Sequence, residues 1–324
     1  MSATTAANLS ERLLQGDRSA LARLISWTEN GDPRFGPALD LVYARVGRGA
    51  RTGFTGPPGA GKSTLVNQVA KSYRQQNQSV GILAVDPSSP FSGGALLGDL
   101  IRMEERTLDP GVFIRSMASR GSHGGIAQAT VDACDVMDAF GMEQILIETV
   151  GVGQAEYDVV AAADTVVVIL CPGAGDGIQA MKAGLLEVAD VLVVNKSDLG
   201  GADRLLSDLE ESVHVRFGRE HEFPVPVVSV CASSGSGIDE LQAAILLHKH
   251  WLAAHDLPAL RLNKRVERVR QVVDAEISSA LWTVRGWNDV ARAELANGRA
   301  PHRVASALAA RVLASIPSPG GLHS

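Results

Sequence analysis

Residues 56 to 64, GPPGAGKST, carry the most legible chemistry in the chain. Gly56, Gly61, Lys62 and Ser63 fit the pattern GxxxxGK[ST], with Pro57, Pro58, Gly59 and Ala60 inside it and Thr64 behind. Such a loop turns backbone N–H groups toward phosphate oxygens, and side chains at Gly59 or Gly61 would block that approach. TGFT before it reads as a strand and STLVNQVAKSYRQQ after it as a helix, the context that the motif requires. The helix N-terminus favours an anion, Lys62 places a positive charge beside the β- and γ-phosphates, and Ser63 can ligate Mg²⁺. The expectation is a nucleoside triphosphate site.

VLVVNKSD, residues 191 to 198, is an apolar strand ending in NKxD and bears on the base. Asp198 can accept from guanine N1–H and N2–H₂; adenine has neither donor, which would leave the carboxylate unpaired at a cost of roughly 1–3 kcal/mol. Asn195 can bond the base or tie its loop to the phosphate loop, and the Lys196 stem can cover a base face. In the later segment VSVCASSGSG, Ala232 stands where a backbone N–H would meet guanine O6, between Cys231 and Ser233. Cys231 replaces the more usual serine. GTP is expected over ATP.

Acids for the metal and γ-phosphate end follow two other strands. GILAVD ends on Asp86, and Pro87 then forces the chain out of the sheet; Asp99 lies downstream in a glycine-punctuated segment. Either acid can serve Mg²⁺, though Asp86 can equally cap a turn and Asp99 can simply be exposed. ILIETVGVGQ places Glu148 three residues before Gly151, a DxxG pattern with the longer acid, in which the acid holds a Mg²⁺ water and the glycine N–H senses the γ-phosphate. Activation of the attacking water by Glu148 is the second reading, and Gln154 can orient that water. In CPGAGDGIQAMKAG, Lys182 either approaches the phosphates on a mobile element or belongs to an ordinary strand-to-helix connection. Arg102, Arg115 and Arg120 are internal candidates for a stimulating arginine, and His123 is read as serving its own loop.

These residues need a sheet to hold them. Seven apolar runs, TGFT, GILAVD, VFIRSM, QILIETV, TVVVILC, VLVVNK and VPVVSVCA, alternate with helical patterns across residues 48–252. That is the signature of an α/β fold with a mostly parallel sheet, covered on both faces, with its chemistry at the strands' C-terminal ends. Residues 1–47 read as a helical extension: Asp17 caps one helix, Asp32-Pro33 stops it, and a second covers Ala38 to Val46. Residues 258–316 read as a helical arm, one long amphipathic helix with Val266, Val269, Val273, Ile277 and Val284 on a face, then a second after Gly298 and Pro301.

The 324 residues carry a formal net charge of −6, which gives no electrostatic reason to expect nucleic acid. Cys134, Cys171 and Cys231, sparse and without a CxxC, argue against a disulfide scaffold or a zinc site. No signal peptide or membrane-spanning run is visible, so a soluble, cytoplasmic protein is expected.

Taken together, TGPPGAGKSTL, LAVDPSSPFSGGALLGDLIRM, IETVGVGQAE, PGAGDGIQAMKAG and NKSD, in that order, resemble the methylmalonyl-CoA mutase-associated GTPase chaperones, the MeaB/ArgK family. LLQGDRSALARLISWTE and the C-terminal helices also fit, so the resemblance covers nearly the whole chain. It implies a P-loop GTPase core with a C-terminal dimerisation arm, and hence a homodimer. It also implies slow GTP hydrolysis that gates cofactor loading and protects an adenosylcobalamin-dependent acyl-CoA mutase. Asp86, Asp99, Glu148 and Lys182 fall, by the same resemblance, in the switch and Mg²⁺ region. Ala155 where serine is usual, and Cys231, are modest departures. The competing expectations are a transport-linked ATPase or kinase acting on a binding protein, which NKSD disfavours, and a nickel or zinc insertase, for which the metal motifs are missing.

Overall fold

The computed structural model describes residues 5–86, 109–118, 125–149, 159, 161–173, 185–216, 223–284 and 286–315. Seven strands form one sheet: β1 (Ala50–Thr55), β2 (Val80–Asp86), β3 (Val112–Ala118), β4 (Gln144–Thr149), β5 (Thr165–Leu170), β6 (Val191–Asn195) and β7 (Val227–Val230). Their order is β3-β2-β4-β1-β5-β6-β7 and every pairing is parallel. β1 is therefore central, flanked by β4 and β5, and the chain leaves its C-terminal end in the middle of the sheet. That is where an open parallel sheet places its ligands.

The strands are apolar throughout because both faces are covered. Leu83, Val85, Ile145, Ile147, Val166 and Val168 point into one core, shared with the helices α1 (Ala6–Leu14), α2 (Arg18–Glu29), α3 (Phe35–Val42), α5 (Gly125–Phe140) and α6 (Ala202–Arg216). The alternate residues Ile82, Leu146, Val167, Ile169, Val191 and Val193 point into the other, against α4 (Lys62–Gln75) and α7 (Ile238–Ala254). The period of two along each strand thus separates two hydrophobic layers.

Asp17 caps α2, accepting from the N–H of Ser19 at 2.8 Å and of Ala20 at 3.3 Å. α3 begins at Phe35, earlier than the spacing of apolar residues suggests, and a 3₁₀ turn (Tyr43–Arg45) replaces its expected end. Pro37 falls in the first turn of α3, where a missing N–H costs nothing. The same effect moves the start of the long C-terminal helix: α8 (Leu257–Ser279) takes Pro258 into its first turn. A π-helical turn (Ala280–Val284) follows, then α9 (Trp287–Ala296), which starts after Gly286 in a left-handed conformation (φ 67°), and α10 (Pro301–Ser315). So three helices stand where two were expected.

The chain divides into two compact units, Met1–Val266 and Glu267–Ser324. Among the described residues no helix is long and apolar enough to cross a membrane.

Candidate functional site

The phosphate loop leaves β1 through a passage only glycine can take. Gly56 has φ 142°, and a Cβ there would lie 2.1 Å from the Ile169 carbonyl oxygen of β5. Gly61, at φ 88°, closes the loop against Asn195; a Cβ would lie 2.4 Å from its Nδ2. Both positions combine a left-handed backbone with contact too close for any side chain.

Lys62 opens α4 and is 7% exposed. Its Nζ donates to the carbonyls of Gly56 at 2.7 Å and Pro57 at 3.1 Å, so the ammonium lies inside the curve of the loop. One residue on, Ser63 Oγ donates to Glu148 Oε1 at 2.5 Å. Glu148 is buried near the C-terminal end of β4, paired in register with Phe54 of β1 and Ala84 of β2. A hydroxyl and a carboxylate meeting beside a lysine and the N-terminus of a helix form an oxygen-donor pair, the chemistry that Mg²⁺ selects. Among the described residues no cluster of three His, Cys, Asp or Glu side chains could hold a metal by itself. Mg²⁺ needs none here, since it is held through one or two side chains together with the phosphates and waters.

At the base end, Asn195 closes β6, is 2% exposed, and bridges two loops. Its Nδ2 donates to the Ala60 carbonyl at 2.7 Å, and its Oδ1 accepts from the Ala232 N–H at 3.1 Å. Of the two roles open to Asn195, tying its loop to the phosphate loop is the one seen. The N–H assigned to guanine O6 is engaged by Asn195 in this state. Lys196 adopts a left-handed conformation (φ 60°), and its Cε lies 4.0 Å from the position of a Cβ on Gly61. Asp198 Oδ1 accepts from the Cys231 thiol at 3.1 Å, and Cys231 Sγ lies 3.2 Å from Ser233 Oγ. Cys231 thus stands where its hydrogen bond steadies the Asp198 carboxylate. Hydrogen bonds with Ser233 and then Ser234 hold its thiol pKa below the ordinary value.

Gln68 was not apparent from the sequence. It lies on α4, and its Nε2 donates to the Ala232 carbonyl at 3.1 Å, so that one peptide unit is held through its N–H by Asn195 and through its C=O by Gln68. No motif marks such a residue; only its place on the helix that leaves the phosphate loop could have suggested it.

Asp86 is the last residue of β2 and, by register, sits beside Ala118 of β3, one strand away from Glu148. Its side chain, together with Asp99, Gly151, Gln154, Lys182, Arg102, Arg120 and His123, lies outside the described residues. Arg115 is described, and it is committed elsewhere. Its guanidinium bonds Glu29 and, at 3.0 Å, Ser26 Oγ, both on α2, which makes it a clamp between β3 and the N-terminal helices.

The family described as "Methylmalonyl Co-A mutase-associated GTPase MeaB" matches residues 21–285. A Pyrococcus horikoshii protein carrying a GTPase designation is 46% identical over 275 residues, 83% of this chain and 86% of its own. The mouse protein named methylmalonic aciduria type A homolog, mitochondrial, is 35% identical over 267 residues, 77% of this chain and 64% of its own. A solved structure described as LAO/AO transport system kinase superposes with a TM-score of 0.74 at 28% identity, covering 97% of this chain and 99% of that one.

Proposed function

The chain belongs to the methylmalonyl Co-A mutase-associated GTPase MeaB family, and from that premise we propose that its GTPase cycle drives a chaperone of an adenosylcobalamin-dependent acyl-CoA mutase. It is a P-loop GTPase. The mutase as partner, the gating of cofactor loading and the protection of that enzyme are our reading, and the name of the mouse relative supports it. A homodimer in the cytoplasm belongs to the same reading.

One observation carries the switch: Asn195 joins the phosphate loop at Ala60 to the base loop at Ala232, while Ser63 of the same phosphate loop meets Glu148 of β4. Occupancy of either end of the nucleotide is thereby felt at the other. Lys62 would exchange the Gly56 and Pro57 carbonyls for β- and γ-phosphate oxygens. Backbone N–H groups from Gly59 to Thr64 would surround the phosphates, and Asp198 would accept from guanine while Cys231 holds it in place. Mg²⁺, when bound, neutralises phosphate charge, and Ser63, Glu148 and Asp86 are the residues that would hold it. Gly151 would sense the γ-phosphate, with Asp99 and Lys182 in the same switch region.

The test uses full-length protein as bait in native lysate, with and without a non-hydrolysable GTP analogue, followed by GTP turnover assays with the purified mutase. The expected result is nucleotide-dependent capture of the mutase and a changed turnover rate in its presence. Absence of both capture and a changed turnover rate would sink the chaperone reading. ATP binding tighter than GTP would instead favour the kinase function named for the solved relative.

A further inference from the structure

The N-terminal edge of the sheet, opposite the nucleotide end, contains a cavity of about 500 Å³ between α4 and α7. Small-molecule sites run from roughly 300 to 1,000 Å³. The entry to β1, Tyr73 of α4, and Gln242, Leu246 and Lys249 of α7 are among the residues that line it. A second cleft, about 390 Å³, adjoins it, sharing Arg48, Gln78, Gln144 and Lys249 and adding Arg45.

The polar groups here are unevenly matched. Among the described residues the side chains of Arg45, Arg48 and Lys249 make no hydrogen bond or ion pair. The nearby acids are mostly occupied. Asp138 pairs with Arg51 and accepts from the N–H groups of Gly47, Arg48 and Gly49. Glu143 accepts from Ser79, and Asp164 holds Arg261. Only Asp239, at the rim, is an unpaired carboxylate among those lining the two spaces.

Further in, Gln144 Nε2 donates to Gln78 Oε1 at 3.0 Å, which leaves the Gln78 amide N–H₂ and the Gln144 carbonyl oxygen without protein partners. Together they form a donor–acceptor pair that complements an amide. The Tyr73 hydroxyl also makes no hydrogen bond, although the residue is only 8% exposed.

We infer that this edge binds a phosphorylated small molecule with an amide-bearing body, of the coenzyme A type. The phosphates lie against Arg45, Arg48 and Lys249, the amides meet the Gln78–Gln144 pair, and the apolar remainder lies between Tyr73 and Leu246. Guanidinium groups match phosphate oxygens in geometry and charge. Two of the elements that frame the cavity, β1 and α4, carry the phosphate loop at their other ends.

The experiment titrates coenzyme A, pantetheine and inorganic pyrophosphate into full-length protein saturated with GDP and Mg²⁺, read by calorimetry. Filling the nucleotide site first removes it from the measurement. Coenzyme A is expected to bind saturably and more tightly than either fragment, and Arg48→Ala with Lys249→Ala to weaken it on the order of tenfold or more. Tyr73→Phe, which removes only the hydroxyl, should weaken it by a smaller factor with the melting temperature unchanged. If the double variant misfolds, Lys249→Gln alone, at an exposed position, serves the same comparison. Absence of coenzyme A binding, or binding unaltered in the charge variants, overturns the inference. Pyrophosphate binding as tightly as coenzyme A overturns it too, because the cleft then takes an adventitious ion only.

Discussion

Glu148 and Ser63 meet because two elements end at the same level: β4 pairs with β1 in a register that sets Glu148 beside Phe54, and α4 starts directly after the loop that follows β1. Glu148→Gln keeps an acceptor for the Ser63 hydroxyl and removes only the charge. GTP turnover should fall by about 10–100-fold while GTP affinity changes by no more than a few-fold. Single-turnover kinetics and nucleotide titration check this, and unchanged turnover would remove Glu148 from the mechanism. Asn195 is a different case, since Asn195→Ala leaves the Ala60 carbonyl and the Ala232 N–H without their partner. Unmet buried groups of that kind cost roughly 1–3 kcal/mol each, so GTP binding should weaken by about tenfold or more, measured by equilibrium titration. Lys62, Ser63 and the NKSD residues were legible because their chemistry is local in sequence. Gln68 and Arg115 were not: their partners lie 164 and 86 residues away, and only the folded sheet brings them together.

At the scale of elements, all seven strands were legible, because strands buried on both faces read as short apolar runs whatever their order in the sheet. The order itself, and the division of alternate residues between two helical layers, depends on crossovers that no short stretch records. Helix starts were less legible where Pro37 and Pro258 intervene, since proline breaks a helix in its interior yet suits its first turn. The seam between α7 and the sheet carries a pair of titrating groups that sequence did not single out. His248, on α7, meets Thr165 Oγ1 of β5 through Nδ1 at 3.0 Å and Asp190 Oδ1 through Nε2 at 3.4 Å. Burial pushes Asp190 up to about 6 and His248 down to about 4. A carboxyl raised on folding costs stability as pH climbs from its ordinary value toward 6. A histidine depressed on folding costs stability as pH falls from its ordinary value toward 4. The two contributions oppose each other across that window. Asp190→Asn removes the first and leaves the second, because burial, then Asp164 and Lys264, sets the His248 shift. Thermal denaturation of the variant should therefore show a steeper loss of melting temperature between about pH 6.5 and about pH 4 than the parent protein. Parallel slopes would show that the Asp190 carboxyl is not raised on folding.

At the scale of the whole molecule, the unit Met1–Val266 holds the sheet, both hydrophobic layers and the nucleotide residues, while Glu267–Ser324 is helical only. The amphipathic pattern of α8 was legible in the sequence, but what it faces was not, because periodicity marks an apolar stripe without naming its cover. Among the described residues Val266 is 48% exposed, Val269 61%, Val273 45% and Ile277 42%. Four apolar side chains at intervals of three and four on one helical face form a contiguous patch, and soluble proteins keep such patches for an interface. A second copy of the same helix is the occupant that a homodimer supplies, and a two-fold axis would bring like residues together. A charge placed in such a seam is desolvated without a partner, and this cost outweighs anything it gains on a free surface. The proposed homodimer predicts that the parent protein runs as a dimer by light scattering and that Val269→Glu combined with Val273→Glu turns it into a monomer. Intrinsic GTP turnover should be retained within a few-fold, because every described nucleotide-site residue lies before Val266. A variant that stays dimeric would move the interface off α8, and one that loses GTP turnover on becoming a monomer would show that the nucleotide site depends on the partner copy.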